Sequence, residues 1–264
     1  MISAQTIGAA TIDGLAYIGG LARLSAKAVR ALFQDVFSPR RLAYGRAVHQ
    51  STAVGIGALP ILSLISFFIG TILALQAAYE LRKFGALQFV ASAVAISVSR
   101  ELGPLMTAIL VIGRSGSSFA AELGTMRVNE EIDALSTMGI SPFEFLVLPR
   151  MLGLILMMPV LTIYANLVGI LGGAVVGVGM LKVGLIPYWN HTLNAVTLAD
   201  FAAGLIKSVI FGVLIAIAGC MRGMQSGRSS AAVGLAATSA VVTGIVFIIV
   251  SDAILTVVYD AIGF

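Results

Sequence analysis

The chain has 264 residues, of which 59% are hydrophobic and only 11% are charged. Soluble domains carry about 25% charged residues, so this composition is that of an integral membrane protein. The net charge of +4 does not indicate nucleic-acid binding, because the basic residues lie mainly beside hydrophobic runs, and the single cysteine excludes an intrachain disulfide framework and a cysteine-cluster metal site.

The N-terminal part of the chain predicts an amphipathic helix that lies in the membrane interface. Residues 12–37 place apolar side chains near one helical stripe, and Arg23, Lys27 and Arg30 form a basic face at spacings of four and three. A helix of this kind lies on a membrane rather than across it. The basic stretch 38–46 predicts a turn at the membrane face.

Five later segments are long and apolar enough to cross a bilayer, for which about 20 apolar residues suffice. They are predicted at 52–79, 86 to about 118, 151–181, about 201–221 and about 233–258. The third exceeds a bilayer core of about 30 Å, so we expect it to be tilted, kinked at Pro159 or extended beyond the membrane. Residues 80–85 predict an exposed loop, and residues 183–200 predict a loop whose Trp189 suits the membrane interface.

The basic residues predict how the five spans are oriented. An odd number of spans places the two ends of the membrane region on opposite sides. If the N-terminus is cytoplasmic, ten Lys and Arg residues flank the spans on that side, and only Arg82, Lys83 and Lys182 flank them on the other. The positive-inside rule favours this orientation, which leaves the C-terminus periplasmic.

Four ionisable residues lie deep inside the predicted spans, whereas Arg114 lies near the cytoplasmic end of span two. Arg100 and Glu101 are about halfway along span two, near the expected midplane, whereas Lys207 and Asp252 are expected nearer the outer leaflet. A charge at the bilayer centre costs at least about 2.5–3.5 kcal/mol, so each should face protein or a wet cavity. Two interpretations are open: ion pairs that fix helix packing, or a polar cavity for a charged or amphipathic substrate or a coupling proton. Arg100 and Glu101 point about 100° apart on a helix and should contact different neighbours.

A short polar helix is predicted on the cytoplasmic side between spans two and three. The stretch VNEEIDALSTMGISP, 128–142, combines three acidic residues with apolar residues at helical spacing. The acidic first turn suits the positive end of a helix that lies on the membrane. Acidic charge is nevertheless poor for binding an anionic leaflet, so docking into a groove on a partner protein is the other interpretation.

No catalytic constellation is visible. His49 and His191 fall on opposite sides of the predicted topology, which disfavours a shared metal site. The string GRSGSS at 113–118 lacks the Lys-Ser/Thr ending of a phosphate-binding P-loop and is not a G-x-S-x-G nucleophile elbow. We therefore expect no catalytic residue, no metal and no bound cofactor, so that energy for any uphill movement must come from an ion or another polypeptide.

Several motifs occur in order at close spacing: RELGP at 100–104, AILVIGRSGSSFAAELGTM at 108–126, E-x-I-D-A-L at 130–135 and MGISP at 138–142. Together they resemble the MlaE-type permeases, the membrane subunits of ABC transporters linked to MCE proteins. The resemblance covers roughly residues 50–260. One departure is Glu131, where glutamine would be expected.

The resemblance implies an all-α integral membrane fold with an N-terminal amphipathic interfacial helix, five transmembrane helices and a short cytoplasmic coupling helix between spans two and three. We expect a single domain of residues 1–264, with the interfacial helix and basic turn in 1–50 and the five-span bundle in 51–264.

The resemblance also implies partners and a function. The chain would form a homodimer in the bacterial inner membrane, bound to two cytoplasmic ATPase subunits that use ATP and Mg²⁺. A periplasmic ring of MCE domains and a small cytoplasmic STAS-type accessory protein would complete the assembly, with no role for nucleic acid. Its substrate would be phospholipid, moved between the inner and outer membranes.

The candidate site residues fall into three groups. The ATPase would contact the coupling helix, through Glu130, Glu131, Asp133, Leu135, Met138 and Gly139. Arg114 and Glu122 would lie at the junction between span two and that helix. The polar network of the lipid cavity would comprise Arg100, Glu101, Lys207 and Asp252.

Other functions are compatible with parts of the pattern. An ion-coupled secondary transporter would use Glu101 or Asp252 as a proton relay. Such carriers often consist of two inverted repeats, however, and five spans cannot be divided into two equal repeats. A structural scaffold would tolerate neutralisation of Arg100, Glu101 and Lys207 together. A sterol or other-lipid importer of the same family is a further alternative.

Overall fold

The computed structural model describes residues 41–263, so the predicted interfacial helix lies outside the described residues. Within that range every regular element is helical, as predicted. The α-helices are α1 Arg41–Lys83, α2 Val90–Ser97, α3 Gly103–Val111, α4 Ser117–Val128, α5 Glu131–Thr137, α6 Leu148–Gly179, α7 Leu185–Ala195, α8 Leu198–Met224 and α9 Ser230–Ile262. A 3₁₀ turn at Leu87–Phe89 precedes α2. There are also three wider π-helical turns among the described residues. The first, Val98–Leu102, connects α2 to α3, and the second, Ile112–Gly116, connects α3 to α4. The third, Phe143–Val147, directly precedes α6.

Five apolar stretches of these helices are long enough to cross a membrane, which confirms the predicted number of spans. They are Gln50–Lys83, Leu87–Val128, Phe143–Gly179, Leu198–Met224 and Ser230–Ile262. The second contains 42 residues, so at about 1.5 Å per residue it reaches well beyond a bilayer core. Pro159 lies inside α6, so the helix continues past it.

Two predicted loops and part of the predicted turn are helical. The helix α1 already begins at Arg41, within the predicted basic turn, and it continues to Lys83, so most of 80–85 is not a loop. Residues 185–195 form α7, although 183–200 was predicted as a loop. Pro187 lies in the first turn of α7, where proline does not remove a helical hydrogen bond.

Small residues bring α1 and α6 into backbone contact. A Cβ atom added at Gly70 would lie 1.8 Å from the carbonyl oxygen of Gly169, and one added at Gly172 would lie 2.1 Å from that of Phe67. Membrane helices associate through such close approach because lipid supplies no hydrophobic driving force between them. The α1–α6 pair is thus one side of the bundle.

The helix α8 is central and α9 is peripheral. In the most apolar stretch of span four 56% of residues are buried, against 17% in span five. Side chains with no exposed surface fill the centre, among them Leu62, Ile112, Met151, Leu154, Met158, Leu161, Phe211, Ile215 and Ile248. The outer face of α9 is left to contact lipid or another subunit.

Candidate functional site

A lysine with no exposed surface joins three spans. Lys207 of α8 donates hydrogen bonds to Glu101 in the first π turn and to Thr256 Oγ1 of α9, the latter at 2.8 Å. Its Nζ also lies 2.9 Å from Asp252 Oδ1, in an ion pair whose angle does not make a hydrogen bond. The side chain of Tyr259 covers the ammonium, with the ring centroid 5.8 Å from Nζ. We call Glu101, Lys207, Asp252 and Thr256 the Lys207 cluster.

The Lys207 cluster combines one cation with two carboxylates. A buried charge is tolerated only when it is paired and hydrogen-bonded. The two acids pair with the ammonium, and Glu101 and Thr256 accept its hydrogen bonds. The carboxylates are less enclosed than the lysine, because their side chains remain 33% exposed at Glu101 and 16% exposed at Asp252. The cluster is therefore closed on the α8 side and partly open towards α9, where Thr256 is exposed.

Arg100 contacts a different partner, as the angular separation of adjacent helical residues predicts. Its Nη1 lies 2.9 Å from Asp200 Oδ1 at the start of α8. Asp200 and Thr197 form a capping box, in which the Thr197 hydroxyl accepts from the Asp200 N–H and the Asp200 carboxylate accepts from the Thr197 N–H. The ion pair thus ties span two to the first turn of span four.

The π turn that carries Arg100 and Glu101 is braced by α6. With its amide nitrogen facing the carbonyls, Asn166 donates to Val98 O at 3.2 Å and to Thr162 O at 3.3 Å. In this widened turn Val98 O accepts the backbone N–H of Gly103, five residues farther on, and Asn166 supplies it with a second donor. The turn packs directly on this side chain, since a Cβ atom at Gly103 would lie 1.7 Å from it.

The predicted difference in depth between these charges is wrong. Direct contacts put Glu101, Lys207 and Asp252 at one level of the bundle. Lys207 is nine residues into α8, so this level lies about 14 Å from the start of that helix. The prediction failed because span two extends far beyond its predicted end at about residue 118, so halfway along the predicted segment is not halfway through the bundle.

At the opposite end of the bundle, α5 presents acidic residues to solvent. Arg228, in the turn between α8 and α9, lies 3.6 Å from Glu130 Oε1 and 3.3 Å from Asp133 Oδ2. Glu131 is exposed and accepts a hydrogen bond from Asn129 at 3.1 Å. The acidic face of α5 is therefore linked to the start of α9 by exposed ion pairs, each worth at most about 1 kcal/mol.

The apolar residues of α5 divide between two surfaces. Leu135 is half-buried and packs with the buried cluster of Leu123, Ile132 and Leu146, whereas Met138 is 64% exposed. Gly139 ends the helix with a φ of 73°, a left-handed conformation that suits glycine. Met138, which directly follows α5, is therefore the more accessible of the two apolar coupling candidates.

Glu122 and Arg114 have separate roles in the packing. Glu122 Oε2 lies 2.9 Å from Arg150 Nη2, and Arg150 also donates to Leu146 O at 2.8 Å and stacks over Phe119 at 5.6 Å. This ion pair connects α4 to the start of α6. Arg114 instead donates to Val54 O of α1 at 3.4 Å.

The sequence profile of the family described as "Permease MlaE" matches residues 47–258. The chain belongs to the MlaE permease family. It is 35% identical over 253 residues to a "Probable ABC transporter permease protein" of Rickettsia felis, covering 96% of each chain. It is 37% identical over 205 residues to a protein of the same description in Synechocystis, covering 78% of each chain. It is also similar, at 32% over 216 residues, to "Protein TRIGALACTOSYLDIACYLGLYCEROL 1, chloroplastic" of Arabidopsis thaliana, covering 82% of this chain and 62% of that one.

This MlaE-family chain is a multi-pass membrane permease subunit of an ABC transporter. Sequence reasoning found Glu101, Lys207 and Asp252 but missed Thr256, which contacts them. It also missed the partners of other candidates: Asp200 beside Arg100, Asn166 behind the π turn, Arg150 beside Glu122, and Arg228 beside the acids of α5. The T-L-A-D string at 197–200 was a usable signal for the capping box. Nothing in the sequence distinguishes Thr256 from other threonines of span five, since its partners lie on other helices.

Proposed function

We propose that this permease moves phospholipid between the inner and outer membranes, driven by ATP hydrolysis in a separate subunit. The observation that carries the proposal is the pair Arg100 and Glu101, two adjacent residues of opposite charge inside span two. Their side chains are 29% and 33% exposed, respectively. Their open sides fit a zwitterionic headgroup, with phosphate at the guanidinium and an amine at the carboxylate. Each charge is anchored from behind, by Asp200 and by Lys207 respectively.

The comparisons support a lipid substrate. The name of the Arabidopsis relative contains that of a lipid, trigalactosyldiacylglycerol, and its similarity extends over 82% of this chain. A lipid is also compatible with the amount of apolar surface on the bundle, which is large on spans one and five.

The partners follow from the same proposal. A permease described as part of an ABC transporter works with an ATPase, and the exposed acidic α5 with Met138 offers it a short docking helix. The exposed face of α9 supports a homodimer. Two ATPase subunits, a periplasmic MCE ring and a STAS-type accessory protein complete the proposed assembly, in an inner membrane with the N-terminus and α5 on the cytoplasmic side.

A proton-coupled transporter is the second candidate. The observation in its favour is that two carboxylates share one lysine in the Lys207 cluster, an arrangement that can exchange a proton during a conformational change. Under this hypothesis transport would follow a pH gradient and would not need an ATPase.

The headgroup proposal is tested by the lipid that copurifies with the full-length complex in mild detergent. Mass spectrometry should show phospholipid on the wild type and at least about tenfold less on Arg100→Gln and Glu101→Gln, because each loses one charge-assisted contact. Glu80→Gln is the matched control, since Glu80 forms an exposed ion pair with Lys83 at the far end of α1. Unchanged phospholipid in both Arg100→Gln and Glu101→Gln would overturn the headgroup role.

A further inference from the structure

A second polar site lies at the other end of the spans, away from the Lys207 cluster. An open cleft of about 290 Å³ runs between α1 and span two. Its lining residues are Gln50, Ala53, Val54, Arg114, Ser115, Ser118, Phe119 and Glu122. The arginine is the only cation among these lining residues, and the Glu122 carboxylate is already bound by Arg150 and by the Ser118 hydroxyl.

The Arg114 guanidinium is seated against α1 rather than extended freely. A Cβ atom at Gly57 would lie 1.8 Å from Nη2. The guanidinium therefore occupies the space that a side chain at position 57 would fill. Nη1 donates to Val54 O at 3.4 Å, a long hydrogen bond that orients the group without neutralising it. No acid of the described residues lies within ion-pair distance of it, while Arg114 itself remains exposed.

The π turn that carries Arg114 is also held from the α8 side. A Cβ atom at Gly219 would lie 2.7 Å from Gly116 O, so α8 contacts the backbone of this turn. Arg114 is therefore positioned by contacts on two sides, with α1 under its tip and α8 behind its backbone. Preorganised donors of this kind bind an anion without the entropy loss of ordering a long side chain.

The depth of the cleft matches the headgroup layer. The charge-free span one is predicted to begin at residue 52, shortly after the basic stretch 38–46, and Gln50, Ala53 and Val54 line the cleft at this end of the span. On the other side of the cleft, α4 continues beyond Glu122 to α5. A cation at the boundary of an apolar stretch meets lipid phosphates, and an unpaired arginine binds phosphate with two parallel donors.

We propose that the cleft between α1 and span two binds a phosphate group on Arg114, as presented by the headgroup of an anionic lipid of the adjacent leaflet, in which no ammonium group of the lipid itself offsets the phosphate charge. The site is independent of the transported substrate, because it lies at the opposite end of the spans from Lys207 and has its own opening. It would anchor one anionic lipid beside the start of span one.

The test is native mass spectrometry of the full-length complex released from nanodiscs of phosphatidylcholine that contain a minor fraction of phosphatidylglycerol. The wild type should retain one phosphatidylglycerol per permease chain, and Arg114→Gln should lose it, with occupancy at least about tenfold lower. Arg114→Lys should retain it partly, because lysine keeps the charge but not the paired donors. Arg127→Gln, a charge-matched change farther along α4 and outside the cleft lining, should bind as the wild type does.

Two further arms keep the test decisive. Gly57→Ala leaves Arg114 in the chain but removes its seat, so it should weaken binding even if Arg114→Gln folds poorly. Millimolar inorganic phosphate separates the sources: displacement of the lipid supports a site for the phosphate group itself, and resistance to displacement supports a site for the whole headgroup. Equal phosphatidylglycerol retention by the wild type, Arg114→Gln and Gly57→Ala would overturn the proposal, whatever the outcome for Arg100 and Glu101.

Discussion

Replacing Lys207 by methionine should destabilise the protein because it leaves two carboxylates without their cation. Methionine matches the volume of the lysine stem, so the change removes charge rather than packing. Removing one partner of a buried ion pair costs about 3–5 kcal/mol. We expect the lower end, about 3 kcal/mol, because Glu101 and Asp252 keep 33% and 16% of their side-chain surface exposed.

A compensated variant separates the electrostatic cause from a packing cause. When Glu101→Gln and Asp252→Asn accompany Lys207→Met, no charge is left unpaired, and the free energy of unfolding should return to within about 1 kcal/mol of the wild type. The three residues contact each other, so their effects should be strongly non-additive.

The free energy of unfolding of both variants can be measured by reversible unfolding in mixed micelles of increasing sodium dodecyl sulfate content, with circular dichroism as the readout. Recovery of stability in the triple variant would show that the single change acts through unpaired charge. If Lys207→Met were as stable as the wild type, or if the triple variant were the least stable of the three, the ionic description of the Lys207 cluster would be refuted.

Three further predictions concern other parts of the molecule. Met138→Glu should release the ATPase during affinity purification while the fold stays intact. Leu135→Glu should release the ATPase and also lower the thermal stability, because Leu135 packs inward. If Met138→Glu retained the ATPase, α5 would not be its docking helix. Gly172→Leu should prevent α1 and α6 from packing and lower the expression of folded protein, and a normal melting curve would contradict this. Burial raises the pKa of Tyr188 in α7 to about 12, so stability should fall between about pH 10 and 12, where only the unfolded state loses this proton. Denaturation measured over that range should show a smaller fall for Tyr188→Phe.

The five spans could be predicted from sequence because hydrophobicity over about 20 residues is a local property that tertiary contacts do not alter. The helix α7 could not, because its Leu185, Ile186 and Trp189 are exposed while Tyr188 packs against Gly173 and Gly177 of α6. That surface becomes a reason to form a helix only once α6 is in place.

Pairing among the charges was only partly predictable. The cost of an unpaired charge in a membrane identified Arg100, Glu101, Lys207 and Asp252 as residues that need partners. Which of these residues pair with each other depends on the helix register. Glu101 pairs with Lys207, and Arg100 pairs with Asp200. The predicted boundary at residue 200 had placed Asp200 in a loop. Helix boundaries are uncertain by a residue or two, enough to exclude a capping residue from a predicted span.

The central claim is that ATP hydrolysis in a partner drives phospholipid through this permease. The most direct measurement is movement of a fluorescent phospholipid from proteoliposomes that contain the complete complex with its ATPase. We expect movement that requires hydrolysable ATP, continues when a protonophore collapses the pH gradient, and falls at least about tenfold in Glu101→Gln. Movement that persists without ATP and stops with the protonophore would contradict the claim and favour the proton-coupled transporter.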